Sequence, residues 1–143
     1  MEYREFIAQV QARGKLASFE EAEAATLAVM RALAEVICRE RAATMRTYLP
    51  VELSCLFERC RPEVDPFIDS QTFIGWASAD LDAVGMPDRT LGGLDLFAVD
   101  AADEAMRRCG LVFCVLKSCI DRSQQEALAR ELPEEVCDWF RCA

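Results

Sequence analysis

Eight cysteines and no histidine define the chemistry open to this chain. The cysteines are Cys38, Cys55, Cys60, Cys109, Cys114, Cys119, Cys137 and Cys142. A thiolate is a nucleophile, a metal ligand or half of a disulfide. Without histidine there is no His-based triad, no His-ligated zinc or haem, and no usual general base. No C-x-x-C occurs, so the spacing of a zinc ribbon or a thioredoxin-like site is missing. Neighbours stand five apart instead, as Cys55–Cys60, Cys109–Cys114–Cys119 and Cys137–Cys142. Five residues turn a helix by about 140°, so such neighbours point to different faces and cannot chelate together. Cys109 and Cys119 share a stripe with Ala105, Val112 and Leu116 and read as core residues. Cys114 lies on the opposite side and reads as the exposed thiol. Cys55, Cys60, Cys137 and Cys142 occupy two similar closing segments, which form a redox pair or a thiolate cluster if the fold brings them together. The N-terminus, Met1-Glu2-Tyr3-Arg4-Glu5, lacks a signal peptide's basic start and apolar core, so reduced thiols in a cytoplasm are expected.

The acids are distributed less evenly than the cysteines. The 143 residues carry a net charge of −9, yet residues 1–62 and 105–143 are each neutral. Residues 63–104 hold Glu63, Asp65, Asp69, Asp80, Asp82, Asp88, Asp95, Asp100, Asp103 and Glu104 against Arg89 alone. No basic stripe exists to displace counterions from phosphates, which argues against nucleic acid as a partner. The candidate partner face is Asp80, Asp82, Asp88 and Asp95, suited to another protein with a basic surface. The run from Asp80 to Asp88 places acids and a glycine as a calcium loop does. Val84 and Leu91 stand where oxygen ligands are required, so it reads as a helix end and turn. Gly92-Gly93 lacks the lysine and strand of a phosphate loop. Arg39 and Arg122, alike in position, read as helix-end partners before anion ligands. No carboxylate pair can be singled out for hydrolysis.

The elements that must position these groups are helices, and they recur. A shift of 83 residues lays 16–60 on 99–143 without a gap. Val29, Leu33, Ile37, Leu49, Pro50 and Phe57 meet Val112, Leu116, Ile120, Leu132, Pro133 and Phe140. Upstream, Phe6-Ile7 matches Phe73-Ile74 at a shift of 67, so the second copy carries an insertion at about 79–95. No cysteine falls on a cysteine under the 83-residue shift. Tyr3, Phe6, Ile7 and Val10 recur as one helix face, with Gly14 expected as the C-cap. Ser18 with Glu21, and Ser123 with Glu126, are expected as capping boxes. Pro50 and Pro133 suit the first turn of a following helix. No stretch reaches the roughly 18 charge-free apolar residues of a membrane span.

This pattern resembles the domain-of-unknown-function family 2267, a bacterial and archaeal family described by a duplicated helical unit. The residues that carry the likeness are Phe6 and Phe73, the Ala-rich helices Glu20 to Leu33 and Asp103 to Leu116, the words Leu49-Pro50 and Leu132-Pro133, and the endings Leu56-Phe57 and Trp139-Phe140. The resemblance implies no reaction and transfers no site residue. The expected architecture is all-α, two tandem four-helix-type repeats packed into one helical globule, with repeat 1 at 1–62 and repeat 2 at 67–143. The expected function is a non-enzymatic interaction or regulatory module without a cofactor. The alternative is a cysteine-based redox sensor or a protein that binds a metal, an iron–sulfur centre or a prosthetic group.

Overall fold

The computed structural model describes residues 2–78 and 96–143, with the backbone alone over 96–102. The insertion at 79–95, its acids Asp80, Asp82, Asp88 and Asp95 and the calcium-like run lie outside the described residues. All regular structure among the described residues is helical. The helices are α1 (Tyr3–Gly14), α2 (Phe19–Val36), α3 (Arg39–Arg46), α4 (Val51–Ser54), α5 (Ser70–Ala77), α6 (Leu96–Cys119), α7 (Arg122–Glu131) and α8 (Glu134–Cys142), with a 3-10 turn at Cys55–Phe57.

Local chemistry sets most of the helix starts. Ser18 Oγ accepts the Glu21 N–H at 3.1 Å, and Glu21 Oε2 reaches back to the Ala17 N–H at 3.0 Å. Two orphan donors of α2 are thereby satisfied, as a capping box requires. The second expected box is corrected. Asp121, not Ser123, caps α7, taking the Gln124 N–H at 2.9 Å, while the Ser123 hydroxyl donates to the same carboxylate at 2.8 Å. A carboxylate at a helix N-terminus gains from the dipole as well as the hydrogen bond. Asp69 caps α5 in the same way through the Thr72 N–H at 2.8 Å. Pro50 and Pro133 stand at the cap itself, one residue before α4 and α8.

Gly14 is also corrected. It is the last residue of α1, and the left-handed cap falls on Lys15 at φ 51°. A Cβ on Gly14 would run into Leu111 Cδ1, so the glycine serves the close approach of α1 to α6. The Leu16 N–H then closes back on the Gln11 carbonyl at 3.0 Å, and Leu16 is buried.

One apolar core holds the helices together. Its aromatic centre is Phe113, with Phe73 at 6.3 Å and Phe140 edge-on at 5.4 Å between ring centroids. Phe6, Phe57 and Phe73 are likewise buried. Burial follows the 83-residue register closely. Ala22, Thr26, Val29, Met30, Leu33, Leu53 and Phe57 are buried, and so are Ala105, Cys109, Val112, Phe113, Leu116, Val136 and Phe140. The pairings cross over: α1 packs on α2 and on α6, while α5 packs on α6 and on α2. The helices α2 and α6 also meet each other.

Because Lys15 holds a conformation that costs an L-residue about 1 kcal/mol, Lys15→Gly is expected to stabilise the fold by about 0.5–1 kcal/mol. Urea denaturation of the two proteins measures the gain.

Candidate functional site

The polar groups with the most defined geometry join the two halves of the chain. Arg108, on α6, is 6 % exposed. Its Nη2 meets Glu21 Oε1 at 3.0 Å and its Nε meets Glu104 Oε1 at 3.1 Å. Glu21 and Glu104 are 83 residues apart in sequence, and they converge on one guanidinium. Arg107 chelates Glu104 with two bonds of 3.1 Å and donates to the Gly14 carbonyl at 3.3 Å. Burial pushes the Glu104 carboxyl up, but the hydrogen bonds from Arg107 and Arg108 outweigh it and hold the group below its ordinary range.

A second knot joins α3 to α7. Glu131 Oε1 accepts the Cys38 N–H at 2.8 Å, and Glu131 Oε2 accepts Arg41 Nε at 2.9 Å. Arg41 Nη1 donates to the Gln124 side-chain oxygen at 2.7 Å. Across from it, the Tyr48 hydroxyl donates to Asp121 at 3.2 Å. A third anchor fixes the end of α8, where Lys117 Nζ donates to the carbonyls of Phe140 and Ala143 at 3.1 and 3.0 Å.

The cysteines scatter around this frame, and no disulfide joins them. Cys55, on the 3-10 turn, and Cys142, at the end of α8, are the exposed thiols. Cys114, expected to be the exposed one, is half-buried, and Arg13 Nη1 donates to its sulfur at 3.3 Å. The reason is the close α1–α6 contact, which lays Arg13 over the back of the α6 stripe. Cys137 is half-buried against the core. Cys60 is 5 % exposed and Cys109 fully buried. Cys119 is half-buried, and its thiol donates to the Val115 carbonyl at 3.4 Å. Among the described residues, no three of His, Cys, Asp and Glu are grouped as a metal ion would need.

The cysteine not singled out from sequence is Cys38. It is the N-cap of α3, and its sulfur accepts the Arg41 N–H at 3.5 Å. Burial pushes its thiol up, helped by the hydrogen bond to Glu131. Cys60 lies within electrostatic reach of it; burial raises that thiol too, with Glu35 and Cys38 adding to the effect. The signal that could have found Cys38 was available: its partner under the 83-residue shift is Asp121, a cap residue by type.

Two depressions mark the surface. One of about 510 Å³ lies between the starts of α1 and α4, lined by Tyr3, Arg4, Val51 and Glu52. Tyr3 donates to Glu23 at 2.7 Å, and burial with that bond pushes its hydroxyl well above the usual range. The other, of about 250 Å³, is lined by Lys117, Arg122, Glu126 and Arg141. The most exposed large apolar side chain is elsewhere, on the connector between the 3-10 turn and α5. Phe67 is 91 % exposed there, its N–H held by Asp65 Oδ1 at 2.9 Å.

The family model for uncharacterized conserved proteins of the type DUF2267 matches residues 3–139. The chain belongs to the DUF2267 family. No curated protein matches it. No described helix of this family member is long and apolar enough to cross a membrane.

The Arg108 triad yields a signed prediction. Arg108→Met strands two carboxylates at a nearly closed site and is expected to cost about 3 kcal/mol at neutral pH. Glu104 is held below its ordinary value, so its contribution is present above the ordinary glutamate range and is lost as pH falls through the folded value. The gap between wild type and variant therefore narrows between about pH 5 and pH 3, read by urea denaturation at each pH.

Proposed function

We propose that this DUF2267 protein is a non-enzymatic helical interaction module assembled from two tandem units, residues 1–62 and 67–143. The tandem reading draws on the shared burial of positions 83 apart and on three pairs of helix caps at that spacing or its extension. Cys38 and Asp121 cap α3 and α7, Pro50 and Pro133 cap α4 and α8, and α1 and α5 begin 67 residues apart. It draws also on reciprocity. Cys38 meets Glu131 as Asp121 meets Tyr48, and those are the same two positions exchanged between halves. Arg41 and Gln124, which meet directly, are one position in its two copies. Such contacts are what an isologous interface produces.

The interaction reading is carried by Phe67. A phenylalanine 91 % exposed loses the burial that would stabilise it, about 2 kcal/mol, unless something covers it. Val64 is exposed beside it in sequence, and Glu63, Asp65 and Asp69 surround it with negative charge. The acids continue through Asp80, Asp82, Asp88 and Asp95. A partner protein with an apolar recess rimmed by basic residues fits this composition. Cytoplasmic action accords with eight thiols and no disulfide.

A photo-crosslinking residue placed at position 67 is expected to trap discrete protein partners in cells, and one at the exposed Glu40 of α3 is not. Reversing the charge of Asp80, Asp82, Asp88 and Asp95 together is expected to weaken capture by about tenfold or more. Phe67→Ala should leave the melting temperature unchanged while abolishing partner binding in a pull-down. Capture at position 67 that matches the control and ignores the charge reversal refutes the reading.

A further inference from the structure

Two backbones cross where α3 begins. The Arg39 N–H donates to the Arg61 carbonyl at 2.7 Å, which lays the residue before α3 against the chain leaving the 3-10 turn. The residues next to that bond are Cys38 and Cys60. Cys38 is half-buried and reachable from solvent, and Cys60 is buried behind it at 5 % exposure. The sulfur of Cys38 sits at a helix N-terminus, where the Arg41 N–H points at it. That is a position that stabilises negative charge on sulfur. Opposing it, Glu131 crosses from α7, accepts the Cys38 N–H at 2.8 Å and takes the thiol proton as well. Arg41 holds Glu131 in place at 2.9 Å.

We propose that Cys38 and Cys60 are a thiol pair that closes into a reversible disulfide by exchange with a low-molecular-weight disulfide, such as glutathione disulfide, and that Glu131 guards Cys38 in its thiol form. The roles divide by exposure: Cys38 attacks and Cys60 resolves. Cys38 gives its proton to solvent, and its thiolate attacks one sulfur of glutathione disulfide. That S–S bond breaks, one glutathione leaves as a thiolate and takes up a proton, and Cys38 is left in a mixed disulfide. Cys60 then loses its proton and attacks the Cys38 sulfur, and the second glutathione leaves. Two protein thiols are oxidised and one glutathione disulfide is reduced to two thiols.

The charges that face the pair set its pH response. They are Glu131 from α7, Glu35 from α2, Glu40, Arg41 and Arg46 from α3, and Arg61 on the connector. Glu131 and Glu35 hold the thiols protonated, and burial acts in the same direction. Closure is therefore slow at neutral pH and accelerates as pH rises, until the thiolate is formed.

The test is to incubate the full chain with glutathione disulfide, block remaining thiols with an alkylating reagent, and map the linkages by mass spectrometry. The expected product is a Cys38–Cys60 bridge, with Cys55 and Cys142 carrying glutathione as exposed thiols do. Cys60→Ala is expected to trap glutathione on Cys38. Glu131→Gln is expected to raise the rate of bridge formation about threefold to tenfold and to move its pH profile to lower pH, which a merely structural role would not do. Cys38→Ser keeps a good helix cap and is expected to abolish the bridge. Full alkylation of Cys38 and Cys60 in a sample whose Cys55 and Cys142 carry glutathione overturns the pair. A Glu131→Gln rate equal to that of wild type overturns the guard.

Discussion

The guanidinium of Arg108 sits 6 % exposed between two carboxylates from distant parts of the chain, and the architecture depends on that convergence. A cation so enclosed is tolerable only when its hydrogen-bonding capacity is met. Glu104 lies one turn earlier on the same helix, but Glu21 must come from the start of α2. The same Glu21 closes the capping box of α2 with its other oxygen. One side chain thus ties where α2 starts to where α6 passes. Arg107 extends the constraint to α1 by holding the Gly14 carbonyl, and the missing side chain of Gly14 lets α1 come near enough. Three helices are therefore registered by contacts a few ångströms across, while the apolar core supplies most of the stability without specifying register.

The α3–α7 knot does the same at the other end of the bundle, with a different economy. Its acceptor is Glu131, at 12 % side-chain exposure, and its donor is Arg41, at 22 %. Both are desolvated enough for the pair to matter and solvated enough not to demand complete burial of charge. The reciprocal bond from Tyr48 to Asp121 is longer and exposed. Equivalent places have kept their contact and changed its chemistry, from tyrosine to glutamate and from aspartate to cysteine.

What could be read in the sequence was whatever has a local cause. The periodicity of Phe6, Ile7 and Val10, the Ser18–Glu21 box and the Leu-Pro words are statements about one turn of helix, and α1, α2, α4 and α8 follow them. The buried stripe through Cys109, Val112 and Leu116 was legible for the same reason. What failed had a cause on another helix. Gly14 looked like a cap because glycine is usually found there; its reason is Leu111, almost a hundred residues away. Ser123 looked like a cap because the capping-box pattern fits it, but Asp121 accepts more strongly and begins the helix two residues earlier. Cys114 faces away from the core stripe as its phase requires, and Arg13 covers it from α1. The neighbourhood of Cys38 and Cys60 could not be read at all, since it is made where two backbone segments cross.

The cap of α3 shows what comparison of paired positions can add. Asp121 holds the Gln124 N–H at 2.9 Å, while Cys38 holds the Arg41 N–H at 3.5 Å. Sulfur is a weak acceptor, so as a cap the cysteine is the poorer choice, by up to about 1 kcal/mol. An aspartate at position 38 would set a second carboxylate beside Glu131, and like charges so close disfavour ionisation of both. That explains why the residue is neutral but not why it is cysteine. A serine would accept the same N–H with a stronger oxygen, carry no charge and leave Glu131 undisturbed. Capping and electrostatics together select serine at this place, so the thiol answers to something other than stability of the helix.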